Sequence, residues 1–260
     1  MLIQEGSKLP QVNIRRSNAR DSGNFYIGKE QPIDWAESLA SQYNAARPFP
    51  HIVIDNFLPE DFAKDFLVHF PSKEDCTVFR QHDNANLKRG YRPSDMADNP
   101  CAAMLYLFNT GVFVNLLESI TGISGLIPDP FFEGGGLHEI ESGGHLGIHA
   151  DFNLHPKLNL VRRINVLIYL NEDWPKDFGG NLELWNMDMN ERCEVIAPLF
   201  NRCVIFNTDK KSFHGHPEPL SCPVDRCRRS IALYYYTSPV DQLESRDDLN
   251  TRTDFQTTPP

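Results

Sequence analysis

The chain has 260 residues, 40% of them hydrophobic, 11% aromatic and 23% charged, with a formal net charge of −10. That length suits one large domain with a sizeable core, and the composition is that of an ordinary globular protein. The acidic balance argues against a nucleic-acid partner, which favours a basic face, and no apolar run approaches the roughly 20 residues of a membrane span.

Cys76, Cys101, Cys193, Cys203, Cys222 and Cys227 are scattered without a paired framework, and Cys222 and Cys227 have no further zinc ligands beside them. The start, "MLIQEGSKLPQV", carries Glu5, Lys8 and Pro10 where a signal peptide needs an apolar run. A cytoplasmic protein with reduced thiols is the expectation.

Residues 1–45 read as a polar N-terminal arm with one helix near "DWAESLASQYN". Residues 46–240 form the main domain, and 241–260 a polar, irregular C-terminal tail. Within the domain, "HIVID" has strand character. "LPEDFAKDFLVHF" begins with Pro59 and acidic residues and then places apolar residues at helical spacing. Residues 72–99, with Arg80, Lys88, Arg89 and Arg92, predict a long charged loop of the kind that acts as a lid or binding loop. "CAAMLYLFNTGVFVNLLESITG" predicts a core helix or helix pair closed by Gly122.

From about residue 130 short β-type runs recur: "GLHEIE", "HLGIHAD", "RINVLIYLN", "GNLELWN", "CEVIAP", "RCVIFN" and "RSIALYYYT". Turn residues separate them, as in "SGG" and "FGG". The pattern predicts a mostly β fold with flanking helices, a jelly-roll (double-stranded β-helix) core buttressed by the N-terminal helices.

The chemistry concentrates in "GIHADFN". Alternate residues of a strand share a face, so His149 and Asp151 point together. A second histidine would complete two imidazoles and a carboxylate, the facial set that leaves positions open on a metal such as Fe(II). "SFHGHPEPL" offers His214 and His216 far downstream. His145 shares the strand but stands four residues from His149, about 13 Å away, too far for the same metal. In "RRSIALYYYT", Arg228 and Ser230 fall on one face and Arg229 on the other. An arginine facing a barrel interior needs an anion, and a planar guanidinium matches a carboxylate bidentately, with Ser230 placed to add a bond.

H-x-D, a distant histidine and then R-x-S resemble the Fe(II)/2-oxoglutarate-dependent oxygenase superfamily, in particular its prolyl 4-hydroxylase-like branch. "PFPHIVIDNFLPEDFA" and "RRINVLIYLNEDWPKDFGGNLELW" are similar to further stretches of that branch, so the resemblance covers roughly residues 47–238. It implies that His149, Asp151 and His214 hold iron and that Arg228 binds the remote carboxylate of 2-oxoglutarate. Tyr169 matches a tyrosine that supports this carboxylate in some members. Asn165 shares the Tyr169 face and is expected to touch the cosubstrate. Where relatives often carry a tyrosine before the glycine turn, this chain has Ile140, and His138 on the same face is assigned a comparable polar task. The carboxylate at 151 favours hydroxylation, since halogenating members have Gly or Ala there.

The bland readings go to the remaining features. His155 is expected at the rim, Arg229 in solvent, "EGGGLHE" in a tight turn, and Trp174, Trp185 and the "YYY" run in packing. The expected activity is hydroxylation of an unactivated C–H bond of a small molecule, an amino acid or related metabolite, using Fe(II), 2-oxoglutarate and O2, with ascorbate as accessory reductant. The alternatives are a peptidyl-prolyl hydroxylase of the same superfamily, a cupin-like metalloenzyme using His149, His214 and His216, and a non-catalytic jelly-roll binding protein. A small-molecule or peptide substrate is the expected partner, with neither nucleic acid nor membrane, and homodimerisation is left open.

Overall fold

The computed structural model describes residues 10–16, 25–75, 78–239 and 253–256. Strands β1 (Ile14–Arg16) and β2 (Phe25–Ile27) pair as a small separate sheet and lead into α1 (Ile33–Ala45). β3 (His51–Ile54), α2 (Glu60–Val68), β4 (Val78–His82), β5 (Ala85–Tyr91), α3 (Pro100–Tyr106) and α4 (Gly111–Thr121) follow. Then come β6 (Ile127–Pro128), β7 (Gly136–Ala150), β8 (Val161–Tyr169), β9 (Leu182–Trp185) and β10 (Arg192–Ile196). The last are β11 (Cys203–Asn207), β12 (His214–His216), β13 (Cys227–Thr237) and β14 (Asp254–Phe255).

All strands after β2 belong to one antiparallel sheet whose main path runs β10-β9-β12-β7-β13-β8-β11-β3. It curls into a half-barrel, the jelly-roll core expected from the strand pattern. β8 and β11 are buried on both faces, so β11 and the Val166–Ile168 part of β8 are nearly continuous apolar runs. Ile164, Val166, Ile168, Cys203 and Ile205 point outward into the helical layer, while Asn165, Leu167, Tyr169, Val204 and Phe206 point into the barrel.

The helices supply the outer core. In α4, Phe113, Val114, Leu116, Leu117 and Ile120 make one apolar stripe, and Gly122 at φ +74° ends the helix in the left-handed conformation. α2 adds Phe62 and Phe66, and α3 is capped by the Asn99 side chain, which accepts from the Cys101 N–H at 2.8 Å. Each fully buried phenylalanine here contributes roughly 1.5–3 kcal/mol. Among the described residues no single helix is long and apolar enough to cross a membrane. The α3 and α4 segments meet that length and composition only together, with a 53° bend between them, and their apolar faces are buried in the core.

Three expectations change. Residues 72–99 hold a β4–β5 hairpin, with β5 paired along β7, because the charged side chains of this stretch find partners on the sheet. Arg89 faces Glu141 at 3.3 Å and covers the Phe79 ring, and Lys73 pairs with the same glutamate. "GLHEIE" and "HLGIHAD" are one 15-residue strand, since "SGG" bends β7 without ending it. Gly143 takes φ +79°, and a Cβ on Gly144 would lie 2.8 Å from the Asn86 carbonyl, so the bend depends on both lacking side chains. In the tail, Asp254 and Phe255 pair with Ala150 and His149 as an added strand, while 241–252 and 257–260 lie outside the described residues, as do 1–9 and 17–24 of the arm.

Candidate active site

The bend in β7 gives its two halves different neighbours. The first half lies between β5 and β13, and the second reaches β12, where His214 stands directly opposite His149. Asp151 leaves the end of the same strand. The three side chains converge: His149 Nε2 is 3.5 Å from Asp151 Oδ1, His214 Nε2 is 3.4 Å from Asp151 Oδ2, and one donor atom from each lies within 4.8 Å of the others. Both imidazoles are pinned alike. His149 Nδ1 donates to the Gly147 carbonyl and His214 Nδ1 to the Ser212 carbonyl, each at 2.9 Å. A carbonyl can only accept, so the proton sits on Nδ1 and the Nε2 lone pair is left for a metal.

Electrostatics favour the same state. Burial pulls the His214 pKa down to about 4, against the attraction of Asp151, so this imidazole is neutral. Burial alone would raise the Asp151 carboxyl. The Arg162 guanidinium, with His214 and His149, instead holds it well below the usual carboxylate range. Two imidazole nitrogens and one carboxylate form a donor set suited to Fe(II), and the residues therefore fit that ion.

Arg162 was not anticipated. It is 1% exposed, its Nη2 lies 3.0 Å from Asp151 Oδ2, and its guanidinium covers the Tyr234 ring at 3.4 Å and the Phe152 ring at 4.7 Å. Strict alternation puts it on the opposite face from Asn165. The register between β8 and β13 skips a residue, with Tyr235 opposite Ile164 and Tyr236 opposite Arg162, and this bulge turns Arg162 inward. The doublet "RR" at the head of the strand was the only sequence signal. Asn165 faces the cavity as expected, but its amide is engaged locally. Its Nδ2 donates to Asp151 Oδ2 at 2.7 Å, and its Oδ1 accepts from Arg162 Nε and Nη2 at 2.8 and 2.6 Å. It braces the Asp151 carboxylate.

Behind the triad lies a cavity of about 470 Å³. Arg228 reaches it from β13, with Nε donating to the Gly180 carbonyl at 2.7 Å and Nη2 to the Tyr169 hydroxyl at 3.3 Å. Gly180, at φ +73°, has no room for a side chain, because a Cβ would sit 2.9 Å from Arg228 Cδ. No carboxylate of the described residues pairs with Arg228, and burial lowers the pKa of its guanidinium. A buried cation of this kind calls for an anionic ligand. Ser230 and His138 line the same wall directly opposite each other, and His138 Nε2 donates to the Gly134 carbonyl at 3.0 Å.

The other histidines fall elsewhere. The bulge between β12 and β7 sets Leu146 opposite His216, so Leu146 faces the cavity and His145 turns away to bond the Asp83 carbonyl at 2.9 Å. His155 is buried, with no place at the rim: Nε2 lies 3.1 Å from Asp129 and Nδ1 accepts from the Lys157 and Leu158 N–H groups, anchoring the loop after Asp151. His216 faces the cavity outside the triad, and burial with the charges of Arg228 and Lys88 keeps its ring neutral. Arg229 is only partly solvated, pairing with Glu139 at 2.9 Å above the Phe70 ring. Of "YYY", Tyr235 and Tyr236 pack inward, whereas Tyr234 lies under Arg162 on the cavity wall.

A jelly roll with two histidines and one carboxylate at one end of its cavity, and a buried arginine along it, presents the donor set that suits a non-haem Fe(II) centre. Residues 135–236 match the 2OG-Fe(II) oxygenase superfamily. The chain carries a 2OG-Fe(II) oxygenase domain, and prolyl hydroxylases are among its homologues. It is 27% identical to prolyl 3-hydroxylase OGFOD1 of Mus musculus over 193 residues, 73% of this chain and 33% of that protein. The match thus spans about a third of the mouse protein. A prolyl hydroxylase of Trichoplax adhaerens, solved with a hypoxia-inducible-factor peptide, superposes with a TM-score of 0.59 at 20% identity, covering 84% of this chain and 98% of that one. HygX of Streptomyces hygroscopicus, solved with nickel, 2-oxoglutarate and hygromycin B, gives 0.52 at 11% identity, covering 84% and 96%. These two likenesses establish the fold.

Proposed function

We propose that the chain is an Fe(II)- and 2-oxoglutarate-dependent hydroxylase of prolyl residues in a protein or peptide, forming succinate and CO2 from the cosubstrate. The observation that carries this reading is the His149–Asp151–His214 cluster at one end of a cavity along which Arg228 lies buried, with no carboxylate partner among the described residues. Iron would be held by the two Nε2 atoms and an Asp151 oxygen, and the remote carboxylate of 2-oxoglutarate by Arg228 with Tyr169 and Ser230 beside it. Together with O2, the bound metal and cosubstrate supply the oxidising chemistry that converts C–H to C–OH.

The chain's own contribution is placement. Arg162 and Asn165 hold Asp151 Oδ2 and keep the carboxylate ionised and oriented. Leu146, Leu167 and Leu182 line the cavity and exclude water from it. Arg162 Nη1 is buried, has no hydrogen-bond partner among the described residues and belongs to a cavity-lining side chain. It offers a donor to a substrate carbonyl near the reacting carbon, which a prolyl peptide bond provides.

One observation favours a second reading, a free amino acid or related metabolite. Thr253 and Phe255, just before and within β14, line the cavity and cover the edge of β7 that an extended peptide would otherwise reach. Free thiols at Cys101, Cys193, Cys203, Cys222 and Cys227 support a reducing, cytoplasmic setting. The test is a turnover screen with Fe(II) and 2-oxoglutarate across prolyl peptides, free amino acids and metabolite extracts. Succinate formed together with a product heavier by one oxygen is expected with prolyl peptides. Turnover with free amino acids alone would transfer the assignment to the second reading, and no succinate with any substrate would end both.

A further inference from the structure

The second histidine of "HGH" is left over once His214 joins the triad. His216 is 3% exposed, and among the described residues neither Nδ1 nor Nε2 has a hydrogen-bond partner. The other buried histidines of the fold differ, because each ring has a neighbour: His51 bonds the Phe49 carbonyl, His138 that of Gly134, His149 that of Gly147 and His214 that of Ser212, and His155 faces Asp129. A buried polar group without a partner is unfavourable and is retained where a ligand completes it.

Position indicates the ligand. Alternation along β12 turns His214 and His216 to the same cavity, with Gly215 between them. His214 meets the metal, and His216 lies one step deeper along the wall. Arg228 and Lys88 line that cavity from β13 and β5. Two of the Arg228 nitrogens are engaged by Gly180 and Tyr169, so its fork alone does not fill the lone pairs of a carboxylate. An imidazole brings an N–H to that task.

We propose that His216 is a cosubstrate-binding residue, donating a hydrogen bond to the remote carboxylate of 2-oxoglutarate that Arg228 also binds. This rests on the oxygenase reading above. It adds a ligand contact specific to the second histidine of this chain, and it predicts that His216 reads the end of the cosubstrate farthest from the metal.

The test uses the full chain loaded with Mn(II), which binds without turnover, titrated calorimetrically with 2-oxoglutarate and with 2-oxopentanoate. The second acid keeps the 2-oxo carboxylate and lacks the remote one. His216→Leu should weaken 2-oxoglutarate binding about tenfold or more, equivalent to about 1.4 kcal/mol, and leave 2-oxopentanoate binding within about twofold. His216→Gln, which retains an N–H donor, should recover most of the loss. Melting temperature and Mn(II) affinity are followed in each variant, and His216→Phe replaces the leucine variant if that one does not fold. Equal weakening toward both acids would mean a packing role and overturn the proposal, as would an unchanged affinity for 2-oxoglutarate. Absence of 2-oxoglutarate binding by the unsubstituted protein would instead overturn the oxygenase reading itself.

Discussion

The metal end of the cavity and its arginine end are built on opposite terms. Around Asp151 the protein supplies much of what the charge needs: Arg162 at 3.0 Å, the Asn165 amide at 2.7 Å, and two imidazoles whose Nδ1 protons are tied to backbone. Around Arg228 the described residues supply a carbonyl and a hydroxyl and no carboxylate, and on the same cavity wall His216 has no hydrogen-bond partner among them. The first region is complete before a ligand arrives and is suited to fixing geometry. The second is electrostatically incomplete and suited to capturing an anion.

Substitutions should separate the two. Asp151→Ala has the largest expected effect. It should abolish Fe(II)-dependent succinate formation. It should also lower the melting temperature of the metal-free protein, because Arg162 stays buried without its anion, a loss of about 3–5 kcal/mol. Full activity in this variant would break the ligand assignment.

Arg228→Leu should act in the reverse sense. Truncating one partner of a buried charge pair costs roughly 2–5 kcal/mol, so the apparent KM for 2-oxoglutarate should rise by about thirtyfold or more. The metal-free protein should melt no lower than the parent, since an unpaired buried cation is removed. If it melted as far below the parent as Asp151→Ala, the contrast between the two ends would be wrong.

Arg162→Leu tests the completed end without touching a ligand. Loss of a group that orients a metal ligand typically lowers metal affinity or activity by about 10- to 100-fold. Mn(II) affinity measured by calorimetry should fall in that range, with the affinity of the loaded protein for 2-oxoglutarate much less affected. Unchanged metal affinity would reduce Arg162 to a packing residue.

Side chains carried by regular strands were legible before the structure. His149 and Asp151, Arg228 and Ser230, and Asn165 and Tyr169 all follow the two-residue period, and their shared faces are where alternation puts them. What escaped were the irregularities. The bulge at the head of β8 turned Arg162 inward, and the one between β7 and β12 exchanged His145 for Leu146. A bulge adds one residue and inverts the phase, and no residue pattern around "RRIN" or "HLGIH" announces it. The 72–99 stretch was misread for a related reason. Its charges look solvated in sequence, and only the facing strand reveals Glu141 as their partner.

Phe255 is the smallest lever on the comparison, and it probes whether the metal end is as self-sufficient as its hydrogen bonds imply. Its ring lies 5.2 Å from that of His149 on the strand added by the C-terminal segment. The His149 ring is already fixed by its Nδ1 bond to Gly147 and by contact with the His214 ring at 4.5 Å. An aromatic contact of this type contributes about 0.5–1.5 kcal/mol, so Phe255→Ala should change Mn(II) affinity by no more than about tenfold. A larger fall would mean that β14 holds His149 in place and that the metal end is incomplete without the tail. A small fall in metal affinity accompanied by improved turnover of prolyl peptides would mark Phe255 as a cover over the β7 edge that an extended peptide would otherwise reach.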